Sequence, residues 1–339
     1  MKAPKFGLWY DFRNPPETGR TFAKLYAQTL EQVSYAEKLG FDQVWTSEHH
    51  FIEDGYSPSL LPLCAAIAAR TERVRIGTNV LLLPLHDPLR VAEDAATVDV
   101  ISGGRFDLGV AVGYKLEEFE TFGKDRRKRG RMMDEAVTVV RRAWDEDEFS
   151  FEGRFYRYPN VKLQPKPVQR PCPIWIGGFT EAAIRRAGRL GDGLLGLSFA
   201  QLPNFLEEWR KRGRRDDEVK LLVGPGTMRV CEDPDRAWAE LGRFALYQSQ
   251  NYARWFGAAG QPIGPVLGSV EELRQRNPTV FLTPQQAVQR LRGLLDRARE
   301  LLPEAEMHFY WWSVFPGEPV ESSTAALELA AKEVLPAFR

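Results

Sequence analysis

The stretch PIWIGGFTEAAIRRAGRLGDG, Pro173–Gly193, holds one complete cycle of the pattern that organises this chain. An apolar run ends at Gly177 and Gly178, Thr180 stands where a helix N-cap belongs, and the amphipathic segment Glu181–Leu190 follows. A second apolar run begins at Gly193. A helix between two short strands returns the chain to the same end of a sheet, so the strands pair in parallel. The alternation recurs throughout. Strands are expected at Lys5–Phe12, Phe41–His49, Val74–Leu83, Arg105–Val112, Pro173–Gly177, Gly193–Phe199, Val219–Val230 and Met307–Val314. Helical periodicity marks Phe22–Leu39, Leu60–Arg70, Leu89–Ile101, Arg131–Asp145, Glu181–Leu190, Leu202–Lys211, Pro234–Phe256, Pro284–Leu302 and Ser323–Leu335. Eight such units predict an α/β fold of the TIM (β/α)8 barrel type, as one domain over residues 1–339. A doubly wound sheet is the alternative, disfavoured by the lack of a linker halfway along.

Two stretches interrupt the alternation. Residues 149–167 alternate like a hairpin insertion turning at Glu152-Gly153, and residues 255–284 form a long glycine- and proline-rich segment before the last strand. A loop of that length in a barrel is expected to be an active-site lid.

Lys plus Arg and Asp plus Glu each number 46, so no global field exists to collect nucleic acid or hold an anionic membrane. Three scattered cysteines, Cys64, Cys172 and Cys231, suit a reducing compartment. No apolar run is long enough to cross a bilayer and no signal core follows Met1; a cytoplasmic location is expected.

Histidine is scarce, four in 339 residues, yet two stand side by side in VWTSEHHF, Val44–Phe51, at the C-terminal end of the second strand. Functional groups of such barrels lie at that end. Neighbouring residues of a strand point to opposite faces, so His49 and His50 do not both reach one ion, and no H-x-H, HExxH or CxxC spacing is present. A metal site is therefore not expected; quiet packing and contact with a cofactor or substrate stay open, the second favoured. Gly177–Thr180 ahead of a helix N-terminus reads either as a phosphate cradle or as an ordinary capped glycine turn. Gly77-Thr78 interrupts an apolar strand, as a bulge or a close backbone approach would. Gly109, Ala111 and Gly113 leave room for something flat against the fourth strand. No G-x-G-x-x-G fingerprint or P-loop occurs, so a nicotinamide site is not expected.

Four stretches, LGFDQVWTSEHHF, VRIGTNVLLLPLHDP running on to ETFG at Gly123, PIWIGGFTEAAIRRAGRLGDG and TPQQAVQRL, resemble the bacterial luciferase-like monooxygenase family, in family order. The resemblance implies reduced FMN at the barrel mouth, supplied by a separate flavin reductase, and O2 inserted into a small organic substrate. Coenzyme F420 with hydride transfer is the alternative, and a flavin-binding protein without turnover a further one. It places His49 beside the flavin ring and His50 on the same wall, both catalytic. Thr78, Asn79, Val80 and Ala111 would line the ring, with a cis peptide at Asn79–Val80. Gly177, Gly178, Phe179 and Thr180 would hold the phosphate, and a homodimer is implied. Luciferase's cysteine and arginine after the fourth strand are replaced here by Ala111 and Val112, which argues against light emission. Arg126–Arg131 could add cationic help, although such a run reads first as a solvated face. Trp9, Phe51, Phe199, Trp311 and Trp312 are the aromatic residues expected around the substrate.

Overall fold

Strands apolar on both faces need cover on both sides, and a ring of helices outside a closed sheet supplies it. A computed structural model describes residues 2–196, 199–224 and 226–339. Its strands are β1 (Lys5–Tyr10), β2 (Gln43–Thr46), β3 (Arg75–Thr78), β4 (Phe106–Val110), β5 (Phe149–Glu152), β6 (Arg157–Val161), β7 (Ile174–Gly177), β8 (Gly193–Leu195), β9 (Lys220–Val223), β10 (Arg229–Val230), β11 (Phe281–Leu282) and β12 (Glu306–Trp312). Eight of them close a parallel barrel in the order β1-β12-β9-β8-β7-β4-β3-β2. These are the eight places where sequence periodicity puts barrel strands. β5 and β6 pair antiparallel outside it.

Most strands are shorter than expected, with Phe41–His49 reduced to Gln43–Thr46 and Val74–Leu83 to Arg75–Thr78, and two expected runs differ further. The run expected to continue to Phe199 is β8, which ends at Leu195; residues 197–198 lie outside the described residues, and Phe199 opens a 3-10 turn. The run Val219–Val230 is two strands. β9 belongs to the barrel, while β10 pairs in parallel with β11 beside it. The break falls around Gly226, whose φ of 78° suits glycine alone among common residues.

The barrel interior explains the glycines inside strands. Trp45 and Trp175 lie edge-to-face at 5.7 Å and fill the middle, both about 1% exposed. A Cβ on Gly77 would stand 2.2 Å from Trp45, and one on Gly193 2.3 Å from Trp175. Gly77 is thus no bulge; it makes room for an indole. Gly109 likewise leaves no slot for a flat guest, since a Cβ there would meet the Thr78 carbonyl oxygen at 1.8 Å. Below this floor, Asp107 binds Arg75 Nε at 2.7 Å and Trp175 Nε1 at 3.2 Å, and Gln43 accepts from Trp45 Nε1 at 2.9 Å. Above it lie Trp9, Val80, Leu195 and Tyr310.

The helices start where their caps are encoded. Thr180 Oγ1 accepts from the Ala183 amide ahead of α6 (Glu181–Leu190). TPQQ is a capping box: Thr283 Oγ1 accepts from Gln286 N at 3.3 Å and Gln286 Oε1 from Thr283 N at 2.9 Å. The helix α8 runs from Pro234 to Ala258, so the segment expected as a loop from residue 255 begins as helix. A short helix (Val270–Arg276) and β11 follow. Among the described residues, no helix is long and apolar enough to cross a membrane.

Candidate active site

β2 ends at Thr46, so the two histidines lie in the loop beyond it, and their different hydrogen-bond partners send them apart. His49 Nδ1 lies 2.8 Å from Glu118 Oε1, and His49 Nε2 lies 3.0 Å from the Tyr114 hydroxyl. Glu118 comes from the short helix Leu116–Thr121; its Oε1 also accepts the His50 amide at 3.0 Å, and its Oε2 is buried without a partner. A carboxylate only accepts, so it fixes the His49 proton on Nδ1 and leaves Nε2 as an acceptor, where Tyr114 donates. Burial lowers the His49 pKa despite the opposing pull of Glu118. At neutral pH the imidazole is therefore uncharged and able to take a proton.

His50 turns the other way. Its Nε2 lies 2.5 Å from Glu48 Oε1, which also receives His86 Nε2 at 2.7 Å, while Glu48 Oε2 accepts the Leu82 amide at 2.7 Å. His50 and His49 thus do not share one wall, as the resemblance implied. Glu48, His50 and His86 do converge closely enough to be a possible metal cluster, with ligand atoms within 4.8 Å of one another. The sequence spacing gave no sign of this, because His86 arrives from the far end of the β3 loop. Here the atoms bind each other. Burial would raise the Glu48 pKa, but the two imidazoles bring it down to about 2 from 4.5. That contribution to stability is present above pH 4.5 and lost as pH falls towards 2. His86 is raised: burial works against its charge, and the Glu48 hydrogen bond prevails. Its contribution is present at acid pH and lost as pH rises through the elevated midpoint. Glu48→Gln should move the His86 midpoint down, read by NMR titration of the imidazole; an unmoved midpoint would mean that another carboxylate holds it.

The predicted cofactor residues fall into three groups. Asn79, Val80 and Ala111 stand at the ends of β3 and β4, and the Asn79–Val80 peptide is cis. Asn79 Nδ2 is buried with no partner, a donor that a ring carbonyl would satisfy. Thr78 is elsewhere engaged: it is fully buried, its Oγ1 donating to Gly109 O at 2.7 Å and accepting Gly109 N at 2.9 Å. It stitches β3 to β4 and does not face the mouth. Gly177, Gly178, Phe179 and Thr180 lead into α6. A Cβ at Gly177 would meet Val80 at 3.0 Å and one at Gly178, where φ is 151°, Ala183 at 2.4 Å. Phe179 is 70% exposed. A bare backbone, a helix N-terminus and an orphaned amide across the mouth fit a flavin with a phosphate tail.

Among the aromatic residues, Trp9 stacks on Trp312 at 4.0 Å within the mouth. Trp311 does not join them; it packs outside the barrel on Phe6 and Phe41. Phe51 is 61% exposed and rests on Phe122, and Phe199 lies under Arg297. Rings that periodicity does not single out surround His49 instead: Tyr56 at 4.8 Å, Trp255 at 5.1 Å, Tyr114 at 5.3 Å and Tyr252 at 6.4 Å. Tyr252 and Trp255 come from the last turns of α8. Of the basic run, Arg126 donates to Ala259 O and so ties that same end of α8 down.

A family model described as "Luciferase-like monooxygenase" matches residues 4–298. The oxygenase component of a flavin-dependent trigonelline monooxygenase from Acinetobacter baylyi is 26% identical, over 94% of this chain and 91% of that protein. An F420-dependent glucose-6-phosphate dehydrogenase from Nakamurella multipartita is 34% identical, over 59% of this chain and 62% of its own length. The crystal structure of the monooxygenase RslO1 from Streptomyces bottropensis superposes with a TM-score of 0.80 at 27% identity, covering 99% of this chain and all of that one.

Proposed function

Because the chain belongs to the luciferase-like monooxygenase family and is an enzyme of the luciferase-like oxidoreductase type, we propose that it is the oxygenase component of a two-component flavin system. It uses reduced FMN from a separate reductase, and O2, to oxygenate a small organic substrate. The observation that carries this is His49, a buried neutral imidazole with an accepting Nε2, held by Glu118 and Tyr114 above the tryptophan floor. FMN is preferred to F420 because the flavin-dependent relative aligns along nearly the whole chain and the F420-dependent one along 59% of it.

In this reading Asn79, Val80 and Ala111 line the ring and Gly177–Thr180 take the phosphate. Reduced flavin supplies the electrons that activate O2. His49 Nε2 accepts or returns one proton while Glu118 keeps the imidazole in one tautomer and Tyr114 orients it. His50 is a positioning residue, its ring fixed by Glu48 and its amide by Glu118. Residues 255–284 act as the lid, with Trp255 excluding water from His49.

Anaerobic titration with reduced FMN and with reduced F420, followed by admission of O2, tests the assignment. Saturable FMN binding and oxygen uptake that depends on it are expected. Tight F420 binding without oxygen uptake would replace this reading with hydride transfer.

A further inference from the structure

Two cations lie buried beside His49, on the same indole. Arg13, 2% exposed, places its guanidinium carbon 5.2 Å from the Trp255 ring centroid, 5.2 Å from Tyr56 and 5.3 Å from Tyr247. Lys115, 7% exposed, places Nζ 5.2 Å from the same Trp255 centroid. Their surroundings differ. Arg13 is met by Asp54, whose Oδ2 lies 2.9 Å from Nε and 2.7 Å from Nη2, but its Nη1 has no partner. Among the described residues, no carboxylate comes within salt-bridge distance of the Lys115 ammonium and no acceptor bonds it. Of the nearby acids, Glu118 binds His49 and the His50 amide through Oε1, Asp54 binds Arg13 and the Tyr247 hydroxyl at 2.9 Å, and Glu117 acts on Lys115 only from beyond salt-bridge distance. Asp11, pushed up to about 6 by burial, accepts from Trp312 Nε1 at 3.3 Å.

The Lys115 side chain is mostly buried but its ammonium keeps contact with solvent, which leaves it open to an anion that arrives with a ligand. The walls around it are flat: Tyr56, Tyr114, Tyr252 and Trp255 stand at steep angles around His49, and Trp255 lies 51° from its ring plane. Faces of this kind take up a planar ring. One cation lacks an anion, which matches a single negative charge and leaves a dianion without its second partner.

We propose that the oxygenated substrate is a flat aromatic monocarboxylate, its carboxylate received by Lys115 Nζ and Arg13 Nη1 and its ring by the aromatic wall beside His49. This rests on the oxygenase reading for the fate of the ring, while the anion site stands on its own geometry. Parallel variants and probes test it. Binding of benzoate and of its neutral isostere benzamide is measured by ligand-observed NMR, with and without FMN, on the parent protein, Lys115→Met and Lys115→Arg. Benzoate should bind the parent at least about tenfold more tightly than benzamide, as a charge-assisted contact requires. Lys115→Met should abolish that preference with benzamide affinity unchanged, and Lys115→Arg should restore most of it. Equal binding of the two probes, no binding of benzoate, or full preference in Lys115→Met would overturn the proposal. FMN affinity is read on the same samples by flavin fluorescence. Its absence would sink the oxygenase reading and leave the carboxylate result standing.

Discussion

Replacing His49 by alanine should lower turnover by about 10²–10⁴-fold, the range for losing a positioned proton-transfer group, while FMN affinity changes little. The split follows from placement. Nε2 points to the Tyr114 hydroxyl and the aromatic wall, whereas the groups fitted to the flavin come from β3, β4 and the turn before α6. Steady-state oxygen uptake and flavin titration measure the two effects separately. Parallel loss of binding and turnover would show that His49 holds the cofactor and does not work on the reaction. Glu118→Gln is the companion variant. An amide can donate as well as accept, so the tautomer is no longer dictated, and turnover should fall with KM nearly constant.

Glu318→Ala should be the most destabilising polar substitution, by about 3–5 kcal/mol, because it strands a buried guanidinium. Arg229 donates from Nη1 and Nη2 to the two Glu318 oxygens, each at 2.7 Å, with side chains 3% and 0% exposed. Glu318 also accepts the Phe315 amide at 2.9 Å, and the Arg229 guanidinium lies 4.8 Å over the Phe315 ring. Urea unfolding measures the loss. The double variant Arg229→Met/Glu318→Leu should recover much of it, since apolar replacement of a whole buried pair is nearly neutral. A single variant as stable as the parent would mean that water already reaches the pair. The site matters beyond stability, because Arg229 lies in β10, the strand that anchors residues 281–282 of the lid.

The barrel was legible because its signals are local. Short branched runs, Gly–Gly turns and a Thr N-cap recur at spacings that a single window reveals, and the eight strand positions follow. His49 and His50 do point apart, but in the loop after β2, where Glu118 and Glu48 hold them, and not through strand alternation. What escaped reading depends on contacts between distant segments. Glu118 looks like any surface acid of LEEFET, yet the short helix turns it inward over 69 positions of sequence separation to His49. Arg13 and Trp255 meet only because β1 and α8 end at one mouth. Gly77 and Gly109 were ambiguous for the same reason: a missing Cβ records that something is close, and only the neighbouring strands show that it is an indole in one case and a carbonyl in the other. Trp311 differs from Trp312 by one step along β12, which is the difference between outer shell and mouth.

Trp45 and Trp175 make the barrel a cul-de-sac. With no passage through its waist, every visitor to His49 enters and leaves by one doorway, under the tip of α8. On the proposed reading, a flavin resting on the tryptophans with the substrate above it would be first in and last out, an order that binding kinetics with the two added in either sequence would check.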